Sequence, residues 1–311
     1  MEKESKIYVS GHRGMAGSAI VRELKKQGYS NLVTRTHEQL DLTRQNDVEE
    51  FFMSERPEYV FHAAGKVGGI IANETFPADF LYENMMMGMN IIHASFRNGC
   101  KKLEFLGSSC IYPRMAAQPI KEKELLSSEL EKTNEAYALA KISSLKYCEY
   151  LNRQYHTDFI SLMPANLYGP NDNYNPQKSH VLPAMLRRFH EAKINGSKSV
   201  TCWGDGSALR EFLYVGDLAE LCVFLMNHYS GNETVNAGTG KEVTIKELAQ
   251  LAAKTAGYQG EILWDYTKPN GTPRKLLDVS KAASLGWVYK TELEDGIQAA
   301  YEDFLKNHAV G

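Results

Sequence analysis

The sequence predicts an α/β protein built on a Rossmann-type doubly wound parallel sheet, with a second, smaller α/β domain. Two observations support this prediction. Short apolar or β-branched segments alternate with longer helical segments through the first half of the chain, and a glycine-rich turn joins the first predicted strand to the first helix. The length of 311 residues favours two domains, because one domain commonly holds roughly 150 residues.

The elements of the first half follow one another as strand–helix units. Residues 6–10 form an apolar run, and in the helix after it Ala19, Ile20 and Leu24 make one apolar stripe. The predicted strands are residues 6–10, 31–34, 59–63, 102–107 and 159–163, and the predicted helices are residues 17–27, 45–54, 80–97 and 134–154. Sheets built from such units bind ligands beyond the carboxyl ends of their strands.

The alternation breaks at Pro164. Residues 164–176 are rich in Pro and Asn, a composition typical of turns, and shorter elements with clustered arginines follow. An apolar strand-then-helix pattern returns at residues 211–227. We therefore expect a first domain at residues 1–165, to which the chain returns at about 211–237, and a second domain comprising mainly residues 166–311.

Composition and charge exclude several classes of protein. Lys and Arg number 35 against 38 Asp and Glu, so a net charge of −3 provides no basic field for nucleic acid. The five cysteines are scattered without a CxxC pair, which argues against a zinc site or a disulfide framework. The charged first six residues, with no apolar run of roughly 20 residues elsewhere, predict a cytoplasmic protein without a membrane segment.

Glycines occupy every third position in the turn between the first strand and the first helix. They permit a tight turn and let backbone amides approach a pyrophosphate at the positive end of the helix. A glycine-rich turn without a ligand is the alternative, but its position directly between a strand and a helix favours a dinucleotide site. The residues of this candidate site are Gly11, His12, Arg13, Gly14, Met15, Ala16 and Gly17.

The end of the second strand indicates which dinucleotide binds. NAD sites usually carry an acidic residue there for the adenosine 2′-hydroxyl, whereas this strand ends in residues 34–37, Thr-Arg-Thr-His. Arg35, together with Arg13 and His37, offers positive groups to a 2′-phosphate. The sequence therefore predicts NADP as the cofactor of the first domain. The alternative is that Arg35 is only a solvated strand end.

Tyr137 and Lys141 lie four residues apart on a predicted helix, so both side chains face the same side. A lysine ammonium there can lower the pKa of a tyrosine and hold the nicotinamide ribose, which leaves the phenol ready to exchange a proton with a carbonyl oxygen. The spacing also arises by chance, so the pair gains its meaning from the loop after the fourth strand, residues 107–113.

With that loop, nearly the whole chain resembles the extended short-chain dehydrogenases/reductases, and within them the epimerase/reductases of GDP-sugars. The resemblance implies conversion of GDP-4-keto-6-deoxy-D-mannose to GDP-L-fucose, by epimerisation at C3 and C5 and NADPH-dependent reduction of the C4 ketone. The matching stretches are residues 11–17, 66–70, 106–113, 134–141, 164–170, 179–181, 210–212 and 271–278.

The resemblance also implies roles for residues near the reacting sugar. Ser108 and Tyr137 surround the enolate oxygen, Lys141 supports them, and Tyr137 donates a proton during reduction. Related dehydratases carry Thr-Asp-Glu at positions 108–110, where this chain has Ser-Ser-Cys. Cys110 is therefore expected to act as the epimerising base, and His180 as the acid that returns the proton from the opposite face.

The remaining site residues are also assigned by resemblance. The substrate is expected to contact Arg188, Trp203, Arg210, Asn270 and Lys275. Further cofactor contacts are expected from Asp41, Leu42, Leu106, Gly107, Ser109, Lys141, Pro164, Ala165, Asn166, Leu167 and His180. Two positions depart from the family pattern, because His37 stands where an arginine is expected and Asn270 where some members have Asp. The helices at residues 80–97 and 134–154 are expected to pair with their mates in a homodimer.

Two other functions remain open at the level of the sequence. A related enzyme could perform only the epimerisation or only the reduction. A catalytically silent NADP-binding sensor could share the fold, but it would have no need for the serine-rich loop together with Tyr137 and Lys141.

Overall fold

A computed structural model describes residues 1–176, 179–268 and 270–308. The strands are β1 (Ile7–Ser10), β2 (Leu32–Val33), β3 (Tyr59–His62), β4 (Lys102–Leu106), β5 (Phe159–Pro164), β6 (Asn166–Tyr168), β7 (Ser199–Trp203), β8 (Leu209–Arg210), β9 (Phe212–Tyr214), β10 (Val235–Ala237), β11 (Val243–Thr244), β12 (Glu261–Asp265) and β13 (Arg274–Lys275). The helices are α1 (Met15–Lys26), α2 (Gln45–Glu55), α3 (Ile70–Thr75), α4 (Pro77–Arg97), α5 (Glu135–Tyr155), α6 (Val181–Ile194), α7 (Val215–His228), α8 (Ile245–Ala256), α9 (Ser280–Ser284) and α10 (Leu293–Asn307).

The central sheet has the strand order β10-β5-β4-β3-β1-β2, and each neighbouring pair is parallel. The predicted doubly wound α/β fold is therefore confirmed. The strand order reverses at β1, which has β2 on one side and β3 on the other, so the loops after β1 and β3 meet at a topological switch point. The loops after β4 and β5 open at the same edge.

Several elements differ from the boundaries predicted from the sequence. Helix α1 begins at Met15, two residues before the predicted start, because Gly14 is its N-cap residue. Helix α4 begins at Pro77 rather than at residue 80, since proline is tolerated in the first turn of a helix. Helix α3 was not predicted at all.

The buried side chains form two apolar clusters. The larger lies around the central sheet and includes buried side chains of α7, which follows β9, and of edge strand β10. The smaller cluster joins side chains of α6, α8 and α10. A separate small sheet orders β11-β8-β13 and sets Arg210 opposite Lys275 in parallel register. Within the described ranges, no helix has the length and apolar character needed to cross a membrane.

Candidate active site

The glycine-rich turn after β1 is a close-packed bend. Gly11 has a φ of +70°, a conformation that favours glycine, and a Cβ there would lie 2.8 Å from the Cα of Ala64. A Cβ on Gly17 would lie 2.2 Å from the carbonyl oxygen of Gly11, so a larger residue would push helix α1 away from the turn. No side chain caps the first amides of α1 at Gly14. These amides can therefore meet an anionic group.

Other residues of this turn also lie at the mouth of the switch point. The side chains of Met15 and Ala16 pack partly against the central core. The buried Nδ1 of His12 makes no hydrogen bond, and burial lowers the pKa of this imidazole. The Nδ2 of Asn171, in the loop after β6, donates to the carbonyl of Arg13 over 2.7 Å. Asn171 thus ties a loop of the second half to the glycine turn, a contact that the sequence did not predict.

Of the residues expected near an adenosine 2′-phosphate, Arg35 and His37 follow β2, whereas Arg13 lies in the glycine-rich turn after β1. Arg35 is half-buried, donates to the Glu55 carboxylate over 2.5 Å and has its guanidinium carbon 5.3 Å from the ring centre of Phe51. Arg13 is exposed, 3.9 Å from the exposed Glu38 carboxylate. His37 is exposed. Arg35 is therefore partly engaged by an acidic partner, whereas Arg13 remains largely open to solvent.

The loop that continues from His37 is held by two local contacts. The Oδ1 of Asp41 accepts hydrogen bonds from the amide and hydroxyl of Thr43. The buried Asn90 of α4 donates to the carbonyl oxygen of Leu42 over 2.9 Å. These contacts set the position of Asp41 and Leu42 beside the central sheet.

Lys141 is a buried ammonium at the centre of the site. It lies on α5, donates to the carbonyl oxygen of Leu106 over 2.9 Å and is 5.9 Å from the ring centre of Tyr137. Its Nζ is also 4.9 Å from the ring centre of Phe105. Burial lowers the pKa of Lys141 to about 8. The predicted facing of Tyr137 and Lys141 is thus present, at the carboxyl end of β4.

Three polar side chains around Lys141 were not predicted from the sequence. Ser10 and His62, at the ends of β1 and β3, share a buried hydrogen bond of 2.8 Å between Oγ and Nδ1. Burial lowers the pKa of His62 to about 3, and the nearby charge of Lys141 adds to this shift, so the ring is neutral. Asn84 bonds both the amide and the carbonyl of Lys66 and supports the loop beside Gly65. No sequence motif marks these residues.

Ser108 and Cys110 lie on a short 3₁₀ turn directly after β4. The hydroxyl of Ser108 accepts a hydrogen bond from the Cys110 amide over 3.1 Å and caps this turn. Burial raises the pKa of the Tyr137 phenol, with Cys110 adding to the rise and the Ser108 hydroxyl opposing it. Ser108, Cys110 and Tyr137 therefore form one group. The Gly107 amide donates to the Leu162 carbonyl over 2.8 Å and joins this turn to β5.

Two cations approach this group from the small sheet. The Nζ of Lys275 lies 3.9 Å from the Sγ of Cys110. Arg210, its neighbour across the β8–β13 pairing, is half-buried, and burial lowers the pKa of its guanidinium while the proximity of Cys110 opposes that effect. The structure thus brings Lys275 into contact with the thiol and places Arg210 near enough for their charges to interact.

The buried carboxylate of Glu211 holds this small sheet in place. Its Oε1 accepts hydrogen bonds from the amides of Thr239 and Gly240 at 2.6 and 2.7 Å, and its Oε2 from the amide of Leu277 at 2.8 Å. Burial raises the pKa of Glu211, and the three amides oppose that rise. The sequence stretch at residues 210–212 marked this region by resemblance but did not predict the role of Glu211.

The loop after β5 leads from the central sheet to the second cluster. Pro164 and Ala165 are buried, and the Ala165 amide donates to the carbonyl of Ala237 over 2.8 Å. Asn166 donates to the carbonyl of Glu211 over 2.8 Å, and Leu167 pairs with Leu213 in the β6–β9 ladder. The loop after β5 is therefore fixed beside β8 and β9.

The other residues assigned to the substrate lie along α6, β7 and the loop after β12. Arg188 donates to the carbonyl of Thr201 over 3.2 Å. Trp203 is 48% exposed, and the ammonium of Lys268 lies over its indole ring, 5.6 Å from the ring centre. Asn270 accepts a hydrogen bond from the amide of Asp205 over 2.9 Å. These contacts leave a face of flat aromatic surface and positive charge open to solvent.

His180 is the N-cap residue of α6 and caps no backbone amide with its ring. The carbonyl of Ser179 lies 3.6 Å from the position that a Cβ on Gly69 would occupy. The His180 segment is therefore next to the loop of residues 66–70. The side chain of His180 is exposed.

Known proteins that are similar to this chain identify its family. Residues 7–238 match the family described as the NAD dependent epimerase/dehydratase family. The chain is 59% identical to GDP-L-fucose synthase 1 of Arabidopsis thaliana, over 98% of this chain and 95% of that protein. It is 50% identical to GDP-L-fucose synthase of Escherichia coli (strain K12), over 98% of each chain.

Among solved structures, the fold is similar to that of MlghC, a GDP-mannoheptose C4 reductase from Campylobacter jejuni with NADP bound. The TM-score is 0.91 at 42% identity, and the alignment covers 98% of this chain and 99% of that one. The resemblance seen in the sequence is therefore confirmed at the level of the family, which uses a nicotinamide cofactor. The chain belongs to the NAD dependent epimerase/dehydratase family.

Proposed function

We propose that this protein converts GDP-4-keto-6-deoxy-D-mannose to GDP-L-fucose, by epimerisation at C3 and C5 followed by reduction of the C4 ketone. The observation that carries the proposal is the meeting of a thiol and a Tyr–Lys pair at the end of one strand. Cys110, Tyr137 and Lys141 supply a base, a proton donor and a fixed positive charge within one group. The names of the relatives at 50–59% identity support the same reaction.

The proposed cofactor is NADP, and the turn after β1 fits it. The cradle at Gly11 and Gly17, which a Cβ would fill, and the uncapped amides of α1 suit a pyrophosphate. Arg13 and Arg35 would hold the 2′-phosphate, with Arg35 shared between that group and Glu55. When bound, the reduced cofactor supplies the hydride for C4. The NADP in the Campylobacter jejuni reductase supports this choice.

Epimerisation requires a base near C3 and C5 and donors around the C4 oxygen. In the proposed step, the Cys110 thiolate takes the proton from carbon, the C–H electrons move into the enolate, and the enolate oxygen is held by Ser108 and Tyr137. His180 returns a proton to the opposite face of the same carbon.

Reduction requires a proton for the C4 oxygen as the ketone becomes an alcohol. Tyr137 would donate this proton. Burial raises the pKa of its phenol, so it is protonated and able to donate at neutral pH. The ammonium of Lys141, fixed on the Leu106 carbonyl, stabilises the negative charge that then develops on the tyrosine.

The assay for this proposal mixes the protein, NADPH and GDP-4-keto-6-deoxy-D-mannose and follows NADPH absorbance while the product is identified against authentic GDP-L-fucose. Consumption of NADPH with GDP-L-fucose as the product is expected. A product that retains the configuration of the substrate at C3 and C5 would instead identify a C4 reductase, as in the Campylobacter jejuni relative. NADH in place of NADPH measures the coenzyme preference.

We further propose that the protein forms a homodimer through α4 and α5. The two helices pack closely, since a Cβ on Gly88 would lie 2.1 Å from the Ser144 hydroxyl oxygen. Their outer faces expose Tyr82, Leu139 and Tyr150. Light scattering should give twice the chain mass of 35.0 kDa; a single chain mass would exclude this assembly.

A further inference from the structure

The contact between Lys275 and Cys110 is an electrostatic arrangement that substrate binding does not explain. The Nζ of Lys275 donates towards the Cys110 Sγ at 3.9 Å, although the two residues are 165 positions apart in the chain. Both side chains are half-buried. An ammonium beside a thiol stabilises the thiolate, the form in which cysteine acts as a base or nucleophile.

Strand β13 directs its two charged side chains to opposite faces. Successive side chains of a strand alternate, so Arg274 and Lys275 point away from each other. Arg274 is engaged by the carboxylate of Glu242, with Nε–Oε distances of 3.0 and 2.8 Å. Lys275 faces Cys110 instead. On one face of the strand, Arg274 therefore pairs with a carboxylate, and on the other face Lys275 contacts a thiol.

The carboxylates nearby are engaged with other groups. Both oxygens of Glu211 accept backbone amides, and Glu242 pairs with Arg274. Across the described ranges, no carboxylate lies within ion-pair distance of the Lys275 ammonium. The charge of Lys275 is therefore not neutralised by an acidic side chain.

Among the residues that the structure describes, two cations and two neutral hydroxyls face Cys110. Lys275 and Arg210 approach from the small sheet, and Ser108 and the protonated Tyr137 from the central one. Each cation favours the thiolate over the thiol. The hydroxyls carry no charge that would oppose this effect.

We propose that Lys275 is a positioning residue for Cys110, which holds the sulfur in place, directs it at the sugar and stabilises negative charge on it when it acts as the base. The inference rests on the proposed function. When the thiolate takes a proton from C3 or C5, the C–H bond breaks, an S–H bond forms and the electron pair passes to the enolate. The sulfur is then neutral and no longer attracts the ammonium of Lys275, which is free to bind the negative charges of the substrate.

The test is the rate at which iodoacetamide alkylates Cys110 in the folded protein without substrate, read by mass spectrometry across a pH series. The other four cysteines are buried, so the folded protein offers one reactive thiol. Lys275→Met is expected to alkylate about tenfold more slowly at pH 7, because the ammonium no longer stabilises negative charge on the attacking sulfur. Lys275→Arg should restore most of the rate.

Arg274→Met is the matched control, because it removes a positive charge from the same strand on the opposite face. It should leave the alkylation rate close to that of the unchanged protein. Equal rates for Lys275→Met and the unchanged protein would overturn the inference and leave Lys275 only a substrate contact. So would equal losses in Lys275→Met and Arg274→Met, which would indicate a general disturbance of the strand.

The alkylation assay contains neither substrate nor cofactor, so its outcome is separate from that of the proposed function. In the full reaction, Lys275→Met should lower kcat for exchange of the C3 and C5 hydrogens with heavy water. A change confined to KM would contradict the positioning role. If no GDP-sugar is turned over but alkylation still depends on Lys275, the proposed function fails and the contact with the thiol stands.

Discussion

At the residue scale, the burial of Lys141 and its position beside Tyr137 together determine what its ammonium charge can do. The ammonium donates to the carbonyl of Leu106, the last residue of β4, and burial lowers its pKa to about 8. At neutral pH most of the side chains still carry the proton, and the positive charge is available to the neighbouring Tyr137. Above about pH 8 the charge is lost and the tyrosine is no longer supported.

Lys141→Met should lower the rate of NADPH oxidation at least about 100-fold, because the ammonium that stabilises the developing tyrosinate is removed. In the unchanged enzyme the same rate should fall as the pH rises through about 8. Steady-state kinetics measures both effects. Lys146→Met is the matched control, since Lys146 is on the same helix but pairs with Glu149 at 2.7 Å. Equal activity in the two variants would contradict the role of Lys141.

At the scale of elements, the small sheet depends on a single buried carboxylate. Glu211 binds three backbone amides from two segments, and the strand before it places Arg210 opposite Lys275. The geometry around Cys110 therefore depends on the anchoring of β8 and β13, although Glu211 itself takes no part in the chemistry.

Glu211→Gln should destabilise the protein by about 1–3 kcal/mol, because the amide NH₂ would face a backbone donor and leave it unsatisfied. Chemical denaturation measures the free energy of unfolding. Glu292→Gln is the control, since Glu292 is exposed and pairs with Lys241, and it should leave the unfolding midpoint in place. A Glu211→Gln variant as stable as the unchanged protein would show that the three hydrogen bonds do not hold the sheet.

The sequence predicted the elements whose signal is local and missed those that depend on tertiary pairing. Strands β1, β3, β4 and β5 are apolar runs, and their positions were predicted closely. Strands β8 and β13 have two residues each and no periodicity to detect. In the site, the glycine turn and the Tyr137–Lys141 spacing were readable, whereas the approach of Lys275 to Cys110 spans 165 positions and has no local signal.

At the scale of the whole molecule, helix α7 packs against the central sheet and helps to bury an acidic residue, Glu104, in the larger apolar cluster. Glu104 on β4 is buried, and α7 brings the thiol of Cys222 beside its carboxyl group. Burial raises the pKa of Glu104 to about 8, with Cys222 and Lys102 opposing the rise. The folded protein therefore keeps this carboxyl protonated where the unfolded chain ionises it.

This difference makes stability depend on pH. The raised pKa contributes stability that is complete below the unfolded value of 4.5 and is lost as the pH rises towards about 8. Each pH unit between those values costs about 1.4 kcal/mol of unfolding free energy. Glu104→Gln, which cannot ionise, should gain stability relative to the unchanged protein between pH 5 and pH 8. Denaturation at both pH values measures the gain, and a constant difference would contradict this account.

The central claim is that one site performs both proton exchange and reduction, and isotope content of the product tests it most directly. The unchanged enzyme and Cys110→Ser are each given GDP-4-keto-6-deoxy-D-mannose and NADPH in heavy water, and the product is analysed by mass spectrometry. We predict deuterium at C3 and C5 with the unchanged enzyme and at least about 100-fold slower incorporation with Cys110→Ser. NADPH oxidation by the unchanged enzyme with no deuterium at either carbon would contradict the claim and leave a simple reductase.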